Sequence, residues 1–311
     1  MSDLTDPLAG TPWADWRHSK IAGDASVRSY ARLTGANDQT VVLMNSGPVA
    51  LDPFTDMAVF LAQQGLCAPK VLHRADPFLV LEDLGQTDIA KALEVGASAK
   101  TLYQAAVDVV VRLKDVTPPR LPVMTPKVAG DMVRITATHY APQADADVLA
   151  QCVTRHFDSL VDAPDVLALR DFHAENLIWR PNNSGTDRIG LLDFQDAFIA
   201  PPGYDLASLL RDIRRPVAPD VVAQMTDYYC TQTGSPRDSF APQLASLGAQ
   251  RNLRILGVFA RLIREDAKPK YQALMPRVWA NLMADLDHPA LQDLRAVLVS
   301  QLPTPAQAGF A

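Results

Sequence analysis

Asp171, Asn176 and Asp193 are the residues of this chain whose types and spacing ask for chemistry. The first two sit in Leu169-Arg170-Asp171-Phe172-His173-Ala174-Glu175-Asn176, the third in Ile189-Gly190-Leu191-Leu192-Asp193-Phe194-Gln195-Asp196. Apolar, β-prone runs at 166–169 and 189–192 lead into them, so each reads as polar groups delivered at a strand end. Phosphoryl transfer needs such a set: a carboxylate to take the proton from an acceptor hydroxyl, and an amide with a second carboxylate to hold Mg²⁺ against a nucleotide's phosphates. On that reading Asp171 is the base, and Asn176 and Asp193 hold the metal ion. Neither stretch is specific alone, because Asp and Asn at strand-to-loop junctions commonly cap turns. Their order, separation and strand contexts carry the reading together.

The elements that must position these groups change character along the chain. Residues 16–22 and 27–33 read as strands flanking Gly23-Asp24-Ala25-Ser26, and 40–44 as a buried strand after the turn at 34–38. Residues 55–66 have the helical spacing of Met57, Phe60 and Leu61 and stop at Gly65. Two more strands, 70–73 and 78–81, complete a five-stranded, one-helix unit ending near Leu84-Gly85. Beyond it the patterning predicts helices at 97–115, 127–140, 145–160, 204–214, 218–232, 241–264, 270–286 and 290–301. The proline-rich stretch 117–122 and two motif hairpins at 165–196 interrupt them. The expected fold is α+β and bilobal. A small antiparallel β lobe with one helix spans residues 1–84, and a larger, mainly α-helical lobe spans 85–311, with a nucleotide in the cleft between them.

Composition narrows the partners. With a net charge of −6, a pI near 5.5 and no long basic run, the chain lacks the electrostatic footprint of a nucleic-acid binder or of an anionic-membrane binder. No stretch approaches the ~18 apolar residues of a membrane span. The acidic N-terminus lacks the apolar core of a secretory signal. Cys67, Cys152 and Cys230 are scattered and lack CxxC spacing, so reduced thiols in a cytoplasmic protein are expected. No obligate protein partner is evident.

Several residues around the site carry two readings each. Gly23-Asp24-Ala25-Ser26 is either an ordinary hairpin turn or a loop that lays backbone N–H groups over phosphates. Arg28 and Arg32 on the next strand are either a solvated face or phosphate-facing cations. Glu82-Asp83-Leu84-Gly85 follows an apolar strand and fits a connector whose backbone at Glu82 and Leu84 reads the edge of a nucleotide base. His173 is read as bonding the loop backbone. Asp205 is either a first-turn helix carboxylate or a buried acceptor for N–H groups of the Asp171 loop. Gln195 and Asp196 are candidates for the acceptor side. Arg211, Asp212, Arg214 and Arg215, expected on the helix of Asp205, point partly there, with Asp212 the candidate among them.

With these residues in hand, the chain resembles the aminoglycoside phosphotransferase (APH) family, a branch of the protein-kinase-like fold, over nearly its whole length. The stretches that carry the resemblance are Gly23–Ser26 with Arg28, Tyr30 and Arg32; Leu81-Glu82-Asp83-Leu84-Gly85; Asp171 to Asn176; Leu192-Asp193-Phe194-Gln195-Asp196; and Pro201-Pro202-Gly203-Tyr204-Asp205-Leu206-Ala207-Ser208-Leu209-Leu210. Within that family it looks most like the cell-wall-recycling sugar kinases that phosphorylate the anomeric hydroxyl of N-acetylmuramate and N-acetylglucosamine. The resemblance implies ATP as co-substrate, Mg²⁺ and a sugar-1-phosphate product. It also implies Asp171 as base, Asn176 and Asp193 as metal ligands, and Asp205 as structural support.

Two departures stand out. Strand residues Val41-Val42-Leu43-Met44 lack the lysine that kinases use to grip the α/β-phosphates, and the helix at 55–66 offers only Asp56 as an acid. A phosphate-neutralising cation must come from elsewhere, and Arg28 or Arg32 is the candidate. Gln195 replaces the usual glycine of Asp-Phe-Gly. The rival readings are an aminoglycoside or choline-like phosphotransferase and a nucleotide-binding pseudokinase. The first would need a concentrated acidic pocket, yet Glu265, Asp266 and Asp227 are interspersed with arginines.

Overall fold

The computed structural model describes residues 7–21 and 27–310; Gly23, Asp24, Ala25 and Ser26 lie outside the described residues. By packing, the chain divides into two compact units: Met1–Ala97 with Glu175–Asp196, and Ser98–Ala174 with Ala197–Ala311. Strands β1 (Arg17–Ile21), β2 (Ser29–Thr34), β3 (Thr40–Asn45), β4 (Val71–Ala75) and β5 (Phe78–Glu82) form one antiparallel sheet in the order β1-β2-β3-β5-β4. Four short strands, β6 (Val166–Ala168), β7 (Leu177–Trp179), β8 (Ile189–Leu191) and β9 (Phe198–Ala200), pair antiparallel as β6–β9 and β7–β8. The expected two hairpins are therefore one. β7 and β8 are consecutive partners, whereas β6 waits for β9.

The first unit is the five-stranded sheet with helix α1 (Asp52–Gln63), the short helix α2 (Ile89–Glu94) and the β7–β8 pair. Period-2 alternation puts Leu33, Val41 and Val80 on one sheet face, where Leu8 joins them and Trp13 and Trp16 cover them. Met44 stands fully buried on β3, where the lysine is missing. Sequence patterning overlooked α2, because six residues show too little periodicity. Its signal was a cap: the Asp88 side chain accepts the Lys91 N–H at 2.8 Å. Helix α1 starts three residues before the expected 55, which brings in a second acid, Asp52, paired at the surface with Arg74 at 2.7 Å.

The second unit is helical, with α3 (Ala99–Lys114), α4 (Pro126–Met132), α5 (Ala146–Leu160), α6 (Tyr204–Leu210), α7 (Pro219–Thr233), α8 (Arg237–Arg264), α9 (Met275–Leu286) and α10 (Gln292–Gln301). The 28-residue α8 is its spine, packed by α5, α6, α9 and the π-turn at Thr136–Tyr140. Helix α6 ends at Leu210 rather than the expected 214, so Arg211, Asp212, Arg214 and Arg215 lie in the loop beyond it, not on the helix of Asp205. The helix expected at 127–140 likewise breaks after Met132 and re-forms as the π-turn. Among the described residues no helix is long and apolar enough to cross a membrane.

One glycine sets how closely the spine meets its neighbour. A Cβ on Gly257 of α8 would stand 2.6 Å from the Ile135 carbonyl carbon and the Thr136 nitrogen, which are backbone atoms that no rotamer change can move. Beside it, the Thr136 hydroxyl donates to the Leu253 carbonyl at 2.6 Å. Gly257→Leu is therefore expected to destabilise the protein by about 1–3 kcal/mol or more, as overpacking does. Denaturant unfolding measures it, and an unchanged midpoint would contradict the packing described.

Candidate active site

The hairpin register places the proposed metal ligands together in the first unit. Leu177 pairs with Leu191, and the Leu192 N–H donates to the Asn176 carbonyl at 3.0 Å, so Asn176 and Asp193 leave the same end of the β7–β8 pair. The pair is anchored by Leu191 N–H to the Cys67 carbonyl at 2.7 Å and by Trp179 N–H to the Thr87 carbonyl at 2.8 Å. Gly190 lets Leu84 lie directly over the hairpin, since a Cβ there would meet Leu84 Cδ1 at 2.9 Å. Just past β8, Asp193 takes a left-handed φ of 58°. The next residue, Phe194, is fully buried and stacks on Phe54 of α1 with ring centroids 5.0 Å apart. That stacking turns the Asp193 carboxylate to solvent while the chain behind it is pinned. The Gln195 amide donates to Asp193 Oδ1 at 2.7 Å and only weakly to Asp196 Oδ2 at 3.5 Å. Asp196 itself is exposed.

Arg28 and Arg32 have different surroundings. Arg32 donates through Nε to Asp83 Oδ2 at 2.5 Å and through Nη2 to Oδ1 at 3.1 Å, and so acts as a sheet-to-connector clamp. Burial alone would raise the Asp83 carboxyl, but Arg32 and the Gly85 N–H hold it below the usual range. Arg28 is buried and hydrogen-bonds the Tyr30 hydroxyl. Burial pushes that hydroxyl up and the nearby Asp193 charge adds to it, with Arg28 opposing both. Arg28, Tyr30 and Asp193 thus form one electrostatic group. Further along the connector, Glu82 Oε2 accepts the Lys70 N–H at 3.4 Å and Leu84 is buried.

The second unit builds the Asp171 loop on a buried carboxylate. Asp205, 3 % exposed in the first turn of α6, accepts the Leu169 N–H at 2.6 Å and the Arg170 N–H at 3.0 Å. Arg170 takes a left-handed φ of 76°, which turns the chain and leaves Asp171 exposed after a fully buried β6. Arg251 of α8, buried, donates to the Arg170 carbonyl at 3.3 Å and to the Ser208 hydroxyl at 2.6 Å. The loop's other flank is held by Asp212, which accepts the Ala174 N–H at 3.4 Å and the Arg214 N–H at 2.8 Å. His173 Nε2 and Arg214 Nη1 are 3.1 Å apart. Sequence reading assigned no role to Arg251 or Ser208. The available signal was an arginine four residues after the buried Leu247, on the core-facing side of α8.

The donors suit a hard cation. Among the described residues no cluster of three or more His, Cys, Asp or Glu side chains could cage a metal. Mg²⁺ held against a nucleotide needs no such cage, only one or two oxygen donors beside phosphate and water. Asn176 and Asp193 could supply such a pair through their side-chain oxygens.

One unit presents a carboxylate on a pinned loop and the other an amide and a carboxylate at one end of a hairpin, the residue types that phosphoryl transfer requires. The comparisons agree. The family described as Phosphotransferase enzyme family, APH, matches residues 17–241. The chain is 33 % identical to the N-acetylmuramate/N-acetylglucosamine kinase of Caulobacter vibrioides, covering 93 % of each. It is 31 % identical to the Pseudomonas aeruginosa protein of the same name, covering 92 % of this chain and 89 % of that one. The choline/ethanolamine kinase family protein from Mesorhizobium loti superposes with a TM-score of 0.68 at 16 % identity, over 93 % of this chain and 96 % of that one. Plasmodium vivax ethanolamine kinase gives 0.65 at 11 %, over 94 % and 87 %. These two structures speak for the fold alone. The chain belongs to the APH phosphotransferase enzyme family and is a small-molecule kinase.

Burial pushes the Asp205 carboxyl from 3.8 up to about 6, against the pull of the two backbone N–H groups and Arg251. The folded chain thus binds this proton more readily than the unfolded one. The stability it contributes is complete below about pH 4 and is lost as pH rises through 6. The melting-temperature gap between wild type and Asp205→Asn should therefore narrow from pH 4 to pH 7 and then stay level. At pH 7.5 the variant's turnover should fall about tenfold or more, since the two N–H groups bond different carboxylate oxygens and Asn would turn an NH2 donor toward one of them. A pH-independent gap with full turnover would contradict the assignment.

Proposed function

We propose that this kinase transfers the γ-phosphate of ATP to the anomeric hydroxyl of N-acetylmuramate or N-acetylglucosamine, in the cytoplasm. The observation that carries this reading is the similarity across 93 % of the chain to a relative named for those two sugars. The scattered free thiols of Cys67, Cys152 and Cys230 support a reducing compartment.

In this reading Asp171 accepts the proton of the anomeric hydroxyl as its oxygen attacks phosphorus. Asn176 and Asp193 hold Mg²⁺, which when bound neutralises charge on the nucleotide's phosphates. Gln195 steadies the Asp193 carboxylate. The phosphate-gripping role of the missing strand lysine falls to Arg28, whose charge lies within reach of Asp193 through Tyr30. Arg32, already committed to Asp83, shapes the connector instead. The backbone at Glu82 and Leu84 reads the adenine edge, and Gly23–Ser26 covers the phosphates. Asp196 is assigned to the acceptor side and Asp212 to the wall next to the Asp171 loop, while Asp205 and His173 support that loop.

Asp171→Asn should lower turnover by about 10²–10⁴-fold, the usual loss for a general base, with ATP affinity kept. A variant within a few-fold of wild type overturns Asp171 as base. Arg28→Met should raise the KM for ATP by about tenfold, the scale of one lost charge-assisted hydrogen bond. Arg32→Met should instead lower the melting temperature by leaving Asp83 buried without its cation. The reverse pattern would move the phosphate role to Arg32.

A further inference from the structure

The second unit holds a cavity of about 470 Å³ between the loop that follows α6 and helix α9. Its wall combines small apolar surfaces, among them Val217 and Pro276, with the polar groups of Arg211, Asp212, Arg277 and Asn281. Apolar patches interleaved with an amide and charges suit a sugar, which offers C–H faces and hydroxyls together. The cavity also borders the Asp171 loop. Asp212, one of its walls, accepts the Ala174 N–H three residues after Asp171.

The charges on this wall are not equally engaged. Arg211 is bound to the buried Asp285 at 2.6 Å, and its carbonyl accepts the Asn281 amide at 3.0 Å. Asp212 is turned to the backbone N–H groups of Ala174 and Arg214. Arg277, half-buried in the first turn of α9, makes no hydrogen bond or ion pair with another described residue. An arginine fork left open in a cavity wall is matched by a planar anion, above all a carboxylate. It repels a polycation.

We propose that this cavity receives the acceptor sugar and that Arg277 is its specificity-determining residue, pairing with a carboxylate carried by an acidic amino sugar. This takes its candidate ligands from the amino-sugar kinase reading. N-acetylmuramate bears a lactyl-ether carboxylate, whereas N-acetylglucosamine has a hydroxyl at the same position. The two sugars therefore differ by the one group that Arg277 recognises.

The test is equilibrium binding of each sugar to the full-length protein by calorimetry, with turnover recorded separately. Wild type should bind N-acetylmuramate more tightly, and Arg277→Gln should narrow that preference by about tenfold, the scale of one charge-assisted contact. Arg277→Lys, which keeps the charge without the fork, should retain part of the preference, and this separates charge reading from a folding defect. Equal affinities in wild type, or equal weakening of both sugars in Arg277→Gln, would overturn the proposal. Selective binding without turnover would support the cavity assignment while removing the kinase reading on these sugars.

Discussion

The Asp205 carboxylate, buried beneath the peptides of Leu169 and Arg170, is the interaction on which the Asp171 loop depends. Burying a carboxylate is costly unless hydrogen bonds replace its water. Here two backbone N–H groups and the nearby Arg251 charge do so. In return the carboxylate holds Arg170 at a positive φ, a conformation that costs on the order of 1–3 kcal/mol for a non-glycine residue. Without that turn, the buried strand β6 would run on and Asp171 would not reach solvent. Arg251 closes the arrangement from the other side by gripping the Arg170 carbonyl. The role proposed for Asp171 needs a carboxylate both exposed and immobile, and this buried network reconciles the two demands.

The β7–β8 hairpin, which carries the proposed metal ligands, solves a similar problem by different means. Three-residue strands have little stability of their own. The β7–β8 pair is therefore stapled by backbone bonds to Cys67 and Thr87 and by Phe194 stacked on Phe54. Met44 is fully buried on β3, the strand that lacks the lysine. The helix beside it correspondingly spends its acids elsewhere, Asp52 on Arg74 at the surface. Arg28 beside Tyr30 then supplies positive charge near Asp193 without a buried lysine–glutamate pair.

Much of this was legible in the sequence where one local rule was enough. Strong alternation gave β2, β3 and β5, and the apolar runs before Asp171 and Asp193 gave β6 and β8. What escaped was set by tertiary contact. β6 pairs with β9 across an intervening hairpin, a choice invisible to local pattern. Helix α6 stops at Leu210 because Asp212 turns its carboxylate to the Ala174 and Arg214 N–H groups, so the expected helical arginines became loop residues. Arg251 carries no motif, and Ser208 lay in a matching stretch without a role assigned to it, since their pairing exists only once α8 lies against the loop. The different duties of Arg28 and Arg32 likewise depended on which partner each one meets, the Tyr30 hydroxyl or the Asp83 carboxylate.

The acceptor side carries the chemical logic of the whole assignment. A kinase for polycationic antibiotics needs an acidic pocket, and a choline-type site needs an aromatic cage. The wall beside Asp212 offers neither, but an amide, an open guanidinium and small apolar faces. The most direct test is ³¹P NMR of the product formed from Mg·ATP and N-acetylmuramate. The account predicts a phosphate ester on the anomeric carbon, seen by coupling of phosphorus to the anomeric proton. A phosphate on any other hydroxyl, or only inorganic phosphate released, would contradict it.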